Sequence, residues 1–120
     1  MPAKRILIID DDIELCEELI DLLTDQGYFT EFCHDPVEGE SLIRAGGFDI
    51  ILLDFKMPSI GGLEILRKLK ADNIKKRIFI FSGRPSVEKE LKESGLTETI
   101  SGVIAKPIDF NTFLNKIKES

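Results

Sequence analysis

Five short apolar runs punctuate the chain, and the segments between them repeat their apolar residues at helical spacing. The runs are 4–9, Tyr28 to Cys33, Phe48 to Leu53, Ile78-Phe79-Ile80-Phe81, and Gly102 to Ala105. Runs this short, aliphatic without polar alternation, read as strands buried on both faces. Between them, 13–26 carries Ile13, Cys16, Ile20 and Leu23 plus Leu15, Leu19 and Leu22, a broad helical stripe ended by Gly27. Pro36 opens a second helix at its first turn, running to Gly46-Gly47. Leu63, Ile65, Leu66 and Leu69 mark a third, and Ser86 to Ser94 a fourth, stopped by Gly95. Asp109 caps a last helix whose inner face holds Phe110, Phe113, Leu114 and Ile117. Strand-helix alternation of this kind predicts an α/β domain, with a parallel sheet covered on both faces and right-handed crossovers.

At 120 residues and 42% hydrophobic content the chain can build one compact core, and no break in composition divides it, so residues 1–120 are expected to form one domain. A net charge of −6 argues against a sequence-independent nucleic-acid surface. No apolar stretch approaches membrane-spanning length and the N-terminus lacks a signal-like apolar region, so a cytoplasmic protein with no membrane partner is the expectation. Cys16 and Cys33 fall in a helical pattern and a strand-like run, which predicts two small buried apolar groups rather than a disulfide. His34 has no neighbour at metal-ligand spacing and reads as a surface residue at a strand end.

The chemistry gathers at the ends of the strands. Asp54 follows Ile50-Ile51-Leu52-Leu53, and the chain then turns through Phe55-Lys56-Met57-Pro58-Ser59-Ile60-Gly61-Gly62. A carboxylate after four buried aliphatics sits at the C-terminal edge of the sheet, where open α/β folds bind ligands, and it needs a partner. The first run also ends in acid, Asp10-Asp11-Asp12. Asp12 suits a helix N-cap, leaving Asp10 and Asp11 free. If the two strands are neighbours, these carboxylates converge and repel one another, so the cluster calls for a cation. Only hard oxygen ligands are on offer, which points to Mg²⁺ or a similar ion. Ser82 ends the fourth run and Lys106-Pro107 the fifth.

The acidic pair Asp10-Asp11, the string Asp49 to Asp54 followed by Phe55-Lys56-Met57-Pro58 with Gly62, the pair Ser82-Gly83, and Lys106-Pro107 resemble the receiver domain of two-component response regulators along essentially the whole chain. The resemblance implies a single (βα)5 flavodoxin-like domain with strand order 2-1-3-4-5. It also implies a signalling phosphoacceptor rather than an enzyme acting on other molecules, one that promotes its own phosphorylation and autodephosphorylation. Asp54 would take a phosphoryl group from a phosphohistidine on a sensor histidine kinase or a histidine phosphotransfer protein. Asp11, Asp54 and the backbone carbonyl of Lys56 would hold Mg²⁺, with Asp10 acting mainly through a metal-bound water. Lys106 would pair with one phosphoryl oxygen and the Ser82 hydroxyl with another. A cis Lys106-Pro107 bond is expected, and the first helix, with Glu14, Cys16, Glu17 and Glu18, is expected to dock the kinase.

Departures from the family pattern fall on output rather than on chemistry. Relatives usually place Tyr or Phe three residues before the strand 5 lysine, where Val103 stands here. Leu96-Thr97-Glu98-Thr99-Ile100-Ser101 replaces the usual Gly-Ala-acidic stretch, and the span from Ser82 to Lys106 is somewhat long. The turn Ser59-Ile60-Gly61-Gly62 also differs. The alternative is therefore a docking module of receiver fold that works without phosphorylation. A haloacid-dehalogenase-type phosphatase would want an acid where Lys56 stands, and a flavodoxin a Ser/Thr-rich loop where the acids stand. Lys56 and Arg84, two residues beyond Asp54 and Ser82, are candidates for controlling water access to the acyl phosphate. The chain stops one helix after the fifth run, so it is expected to be a stand-alone regulator or a domain excised from a longer chain, and a homodimer or an attached effector domain fits either case.

Overall fold

The computed structural model describes residues 4–56 and 61–120. Met57 and Pro58 of the Asp49-to-Pro58 string, and Ser59 and Ile60 of the turn, lie outside the described residues. The elements are β1 (Arg5–Ile9), α1 (Ile13–Asp25), β2 (Phe29–Cys33), α2 (Pro36–Ala45), β3 (Ile50–Asp54), α3 (Gly62–Ala71), β4 (Ile78–Ser82), α4 (Val87–Glu93), β5 (Gly102–Ala105) and α5 (Phe110–Lys118). The five strands form one parallel sheet in the order β2-β1-β3-β4-β5. The order reverses between β1 and β3, which lie side by side, the position where such sheets open a crevice.

Alternate strand residues feed two cores. Leu7, Ile9, Ile51, Leu53, Ile78 and Ile80 pack under α2, α3 and α4 through Ile43, Ile65, Leu66, Leu69, Val87 and Leu91. Ile6, Ile8, Ile50, Leu52, Phe79, Phe81 and Ile104 pack under α1 and α5 through Cys16, Leu19, Leu23, Phe113 and Ile117. Asp12, Asp35 and Asp109 cap α1, α2 and α5, each carboxylate accepting a backbone N–H of the first turn. Both cysteines are buried free thiols.

Several expectations change at this level. Ile13 is 52% exposed and Phe110 40%, although both belong to apolar stripes. Each is the first residue of its helix and belongs to neither buried core. Phe110 lines a shallow concavity against Leu22 of α1 instead of the inner face of α5. Tyr28 and Phe48 precede their strands instead of beginning them, and Asp54 and Ser82 are the last residues of β3 and β4. His34 follows β2 directly, at a strand end as expected, but is half-buried, its ring 4.7 Å from that of Phe32. Thr97–Thr99 form a short 3-10 turn, anchored by buried Leu96, that the periodicity does not announce.

Candidate metal and phosphoryl site

Strand register builds the site. Ile9 pairs with Leu53, so the next residues, Asp10 and Asp54, emerge side by side at one end of the sheet. The ladders continue past the carboxylates: the Asp10 N–H donates to Cys33 O at 3.1 Å and the Phe55 N–H to Phe81 O at 2.9 Å. The Lys106 N–H donates to Ser82 O at 2.9 Å, which ties the ends of β4 and β5 together. All four strand ends are therefore held by backbone bonds before any side chain is placed. The Lys106-Pro107 peptide is cis.

One carboxylate oxygen from each of Asp10, Asp11 and Asp54 lies within 4.8 Å of the others. Asp10 is fully buried, Asp54 nearly so, and Asp11 exposed. Three carboxylates in this space, offering only oxygen, fit a hard divalent cation such as Mg²⁺ and would not fit a soft metal. Asp10 Oδ1 accepts the Asp12 N–H at 3.0 Å, which fixes its orientation. The Lys106 ammonium reaches across the sheet to Asp10 Oδ2 at 2.8 Å and Asp54 Oδ1 at 3.4 Å. It also stands 5.8 Å from the Phe81 ring centroid, a cation–π contact. Ser82 is buried, and its hydroxyl accepts the Arg84 N–H at 3.0 Å. Lys56 is exposed and its N–H points to Asp54 Oδ1 at 3.4 Å, a long bond.

Burial pushes the Asp54 carboxyl up to about 6, and the charge of Asp10 pushes the same way, while Lys106 and the Lys56 N–H oppose it. Burial works against the Lys106 charge, but its hydrogen bond to Asp10 and the negative charges of Asp10 and Asp54 outweigh that and hold it above its ordinary value. Cys16 lies under the site, its thiol 3.6 Å from the Asp10 carbonyl oxygen. Burial and the charges of Asp10 and Asp12 push that thiol up to about 12, so it stays protonated and unreactive. The arrangement offers a nucleophilic oxygen on Asp54, a cation site, a point positive charge and a hydroxyl.

Asp10, Asp11, Asp54 and Lys106 are brought together, with Ser82 one residue beyond Phe81, which pairs with Asp54 in the sheet. Three contacts had no sequence signal. The direct Lys106–Asp10 ion pair spans 96 positions, Phe81 reads only as a core strand residue, and the Arg84–Glu90 ion pair at 3.1 Å joins a loop to α4.

Residues 6–118 match the model of the response regulator receiver domain. The response regulator MprA of Mycobacterium bovis is 32% identical over 116 residues, covering 97% of this chain and 50% of that protein. The uncharacterized transcriptional regulatory protein YkoG of Bacillus subtilis is 28% identical over 118 residues, 98% of this chain and 51% of that protein. The chain thus spans about half the length of these curated relatives. Among solved structures, a CheY-like response regulator receiver domain protein from Methanospirillum hungatei superposes with a TM-score of 0.85 at 31% identity, covering 98% of this chain and 92% of that one. The response regulator TrrA from Thermotoga maritima, solved in complex with Mg(2+)-BeF, shares the fold at a TM-score of 0.81 and 23% identity, covering 97% of each chain. The chain belongs to the response regulator receiver domain family.

Proposed function

We propose that residues 1–120 act as a phosphoacceptor switch, with Asp54 as the acceptor. The observation that carries this reading is the placement of Asp10, Asp11 and Asp54 within 4.8 Å of one another with the Lys106 ammonium on two of them. An Asp54 carboxylate oxygen attacks the phosphorus of a phosphohistidine on a sensor histidine kinase or phosphotransfer protein. A P–O bond forms, the P–N bond breaks, and the imidazole leaves. Water later attacks the acyl phosphate, releasing inorganic phosphate and restoring the carboxylate; the chain assists both steps on itself. Phosphoryl transfer asks for positioning and charge neutralisation more than for covalent machinery, which suits so small a site.

Asp11, Asp54 and the Lys56 carbonyl would hold Mg²⁺, with Asp10 reaching it through water. Bound there, the ion would screen the repulsion between carboxylates and phosphoryl oxygens. Lys106 shifts from neutralising Asp10 and Asp54 to pairing with a phosphoryl oxygen. The Ser82 hydroxyl, already accepting from the Arg84 N–H, still has its own proton to donate to another. Helix α1, with five acids from Glu14 to Asp25 and no base, is the proposed kinase-docking surface.

An effector domain or a homodimer would read the switch. A docking module that works without phosphorylation is the second reading, favoured by Val103, which packs half-buried against the α2–α4 core where an aromatic group would otherwise move.

Incubation with acetyl phosphate and Mg²⁺ followed by intact mass separates the two. The expected result is a single phosphoryl adduct that needs Mg²⁺ and disappears in Asp54→Asn. An unmodified wild-type mass would favour the docking module.

A further inference from the structure

We infer that Arg84 is a second cationic ligand for the phosphoryl group on Asp54, withheld in the unphosphorylated protein by Glu90 of α4. The inference rests on the phosphoacceptor reading and goes beyond it in naming the residue that couples the site to α4. The β4–α4 connection is tied at both ends. Its Arg84 N–H donates to the Ser82 hydroxyl at 3.0 Å, which puts Arg84 beside the hydroxyl assigned to a phosphoryl oxygen. Its guanidinium is engaged by α4, Nη1 donating to Glu90 Oε1 at 3.1 Å. The other oxygen of Glu90 accepts from the Ser86 hydroxyl at 3.4 Å, so the carboxylate stands held between loop and helix.

Charge decides which acceptor Arg84 takes. Three carboxylates, one ammonium and one divalent cation leave the loaded, unphosphorylated site formally neutral. Conversion of the Asp54 carboxylate to an acyl phosphate adds about one negative charge, since a phosphoryl group carries roughly two against the single one it replaces. Lys106 is already shared between Asp10 and Asp54 and supplies no more. Arg84 is the cationic residue whose backbone N–H is bonded to the site's own hydroxyl, and its planar fork suits a phosphoryl group better than a single exposed carboxylate oxygen. The Arg84–Glu90 pair is half-exposed on both sides, the class of ion pair that contributes little and yields readily. When Arg84 swings to the phosphoryl oxygens, Glu90 keeps only Ser86, and the first turn of α4 loses its tie to Arg84. Phosphorylation would then reach α4 by a route that does not need an aromatic residue at Val103.

The linkage makes a sharp test, with beryllofluoride standing in for the phosphoryl group. Mg²⁺-dependent beryllofluoride binding to the full chain is titrated by calorimetry for wild type, Arg84→Ala, Arg84→Lys, Glu90→Gln and Arg84→Ala/Glu90→Gln. Glu90→Gln frees Arg84 and should tighten binding by about two- to fivefold, the range of an exposed ion pair. Arg84→Ala should weaken it by at least as much, Arg84→Lys should recover part, and Glu90→Gln should have no effect once Arg84 is Ala. The inference is overturned if Glu90→Gln leaves binding unchanged or changes it equally in both backgrounds. Wild type that fails to bind beryllofluoride, or Asp54→Asn that still binds it, would instead sink the phosphoacceptor reading itself.

Discussion

Asp54 and Lys106 set opposite demands on stability. The Asp54 carboxyl titrates near 6 in the folded protein against an ordinary 3.8, because burial and Asp10 both disfavour its charge. The folded state therefore binds the extra proton between these values, so the stability associated with protonated Asp54 is present below 3.8 and lost as pH rises to about 6. In metal-free buffer, Asp54→Asn should raise the urea midpoint at neutral pH. Its advantage over wild type should shrink as the pH is lowered through that window; an advantage independent of pH would contradict the assignment. Lys106 works the other way. Asp10 is fully buried, and Lys106 is the only cation bonded to it among the described residues. Lys106→Met keeps the stem but strands that carboxylate, and should cost about 1–3 kcal/mol in urea denaturation at neutral pH. A loss of a few tenths would mean that water already solvates Asp10.

Two glycines show how closely elements approach the site. A Cβ on Gly62, the first residue of α3, would lie 2.8 Å from Asp54 O and 3.0 Å from Phe55 Cα, both backbone atoms that cannot turn aside. The Gly62 N–H also donates to Phe55 O at 2.9 Å, so α3 begins against the strand end that carries the acceptor. A Cβ on Gly39 in α2 would meet Ile9 Cγ2 at 2.8 Å, a side chain that is fully buried and has nowhere to go. Gly62→Ala and Gly39→Ala should each destabilise by about 1–3 kcal/mol through overpacking. Gly62→Ala should in addition slow acetyl phosphate labelling of Asp54, since backbone next to the acceptor must shift. Equal labelling rates in the two variants would show that the α3 approach does not position Asp54.

At the scale of the whole molecule, β1, β3 and β4 each contribute alternate residues to both cores, so neither core can melt while the other persists. Phe113 of α5 is fully buried against Phe81, ring centroids 6.1 Å apart, and Phe81 in turn stands beneath the Lys106 ammonium. Phe113→Ala should cost about 3–5 kcal/mol. It should nonetheless leave a single thermal transition whose calorimetric and van't Hoff enthalpies agree. A second transition, or loss of structure confined to α1 and α5, would show that the faces unfold separately.

Strand-helix alternation, the polar residue closing four of the five strands and the aspartate caps were legible in the chain itself. Each depends on neighbours within one or two turns, where periodicity and backbone chemistry act locally. So the parallel α/β architecture, and the order in which acids, hydroxyl and lysine appear at strand ends, needed no coordinates. Burial at helix starts is different. Ile13 and Phe110 carry the right hydrophobicity, yet each stands exposed as the first residue of its helix. The Lys106–Asp10 bond across 96 positions, the closeness of Gly62 to Asp54 O and the capture of Arg84 by Glu90 likewise arose only when β1, β3, β4 and β5 were set in register. Distances between side chains on different elements depend on how the elements pack, and no local pattern encodes that.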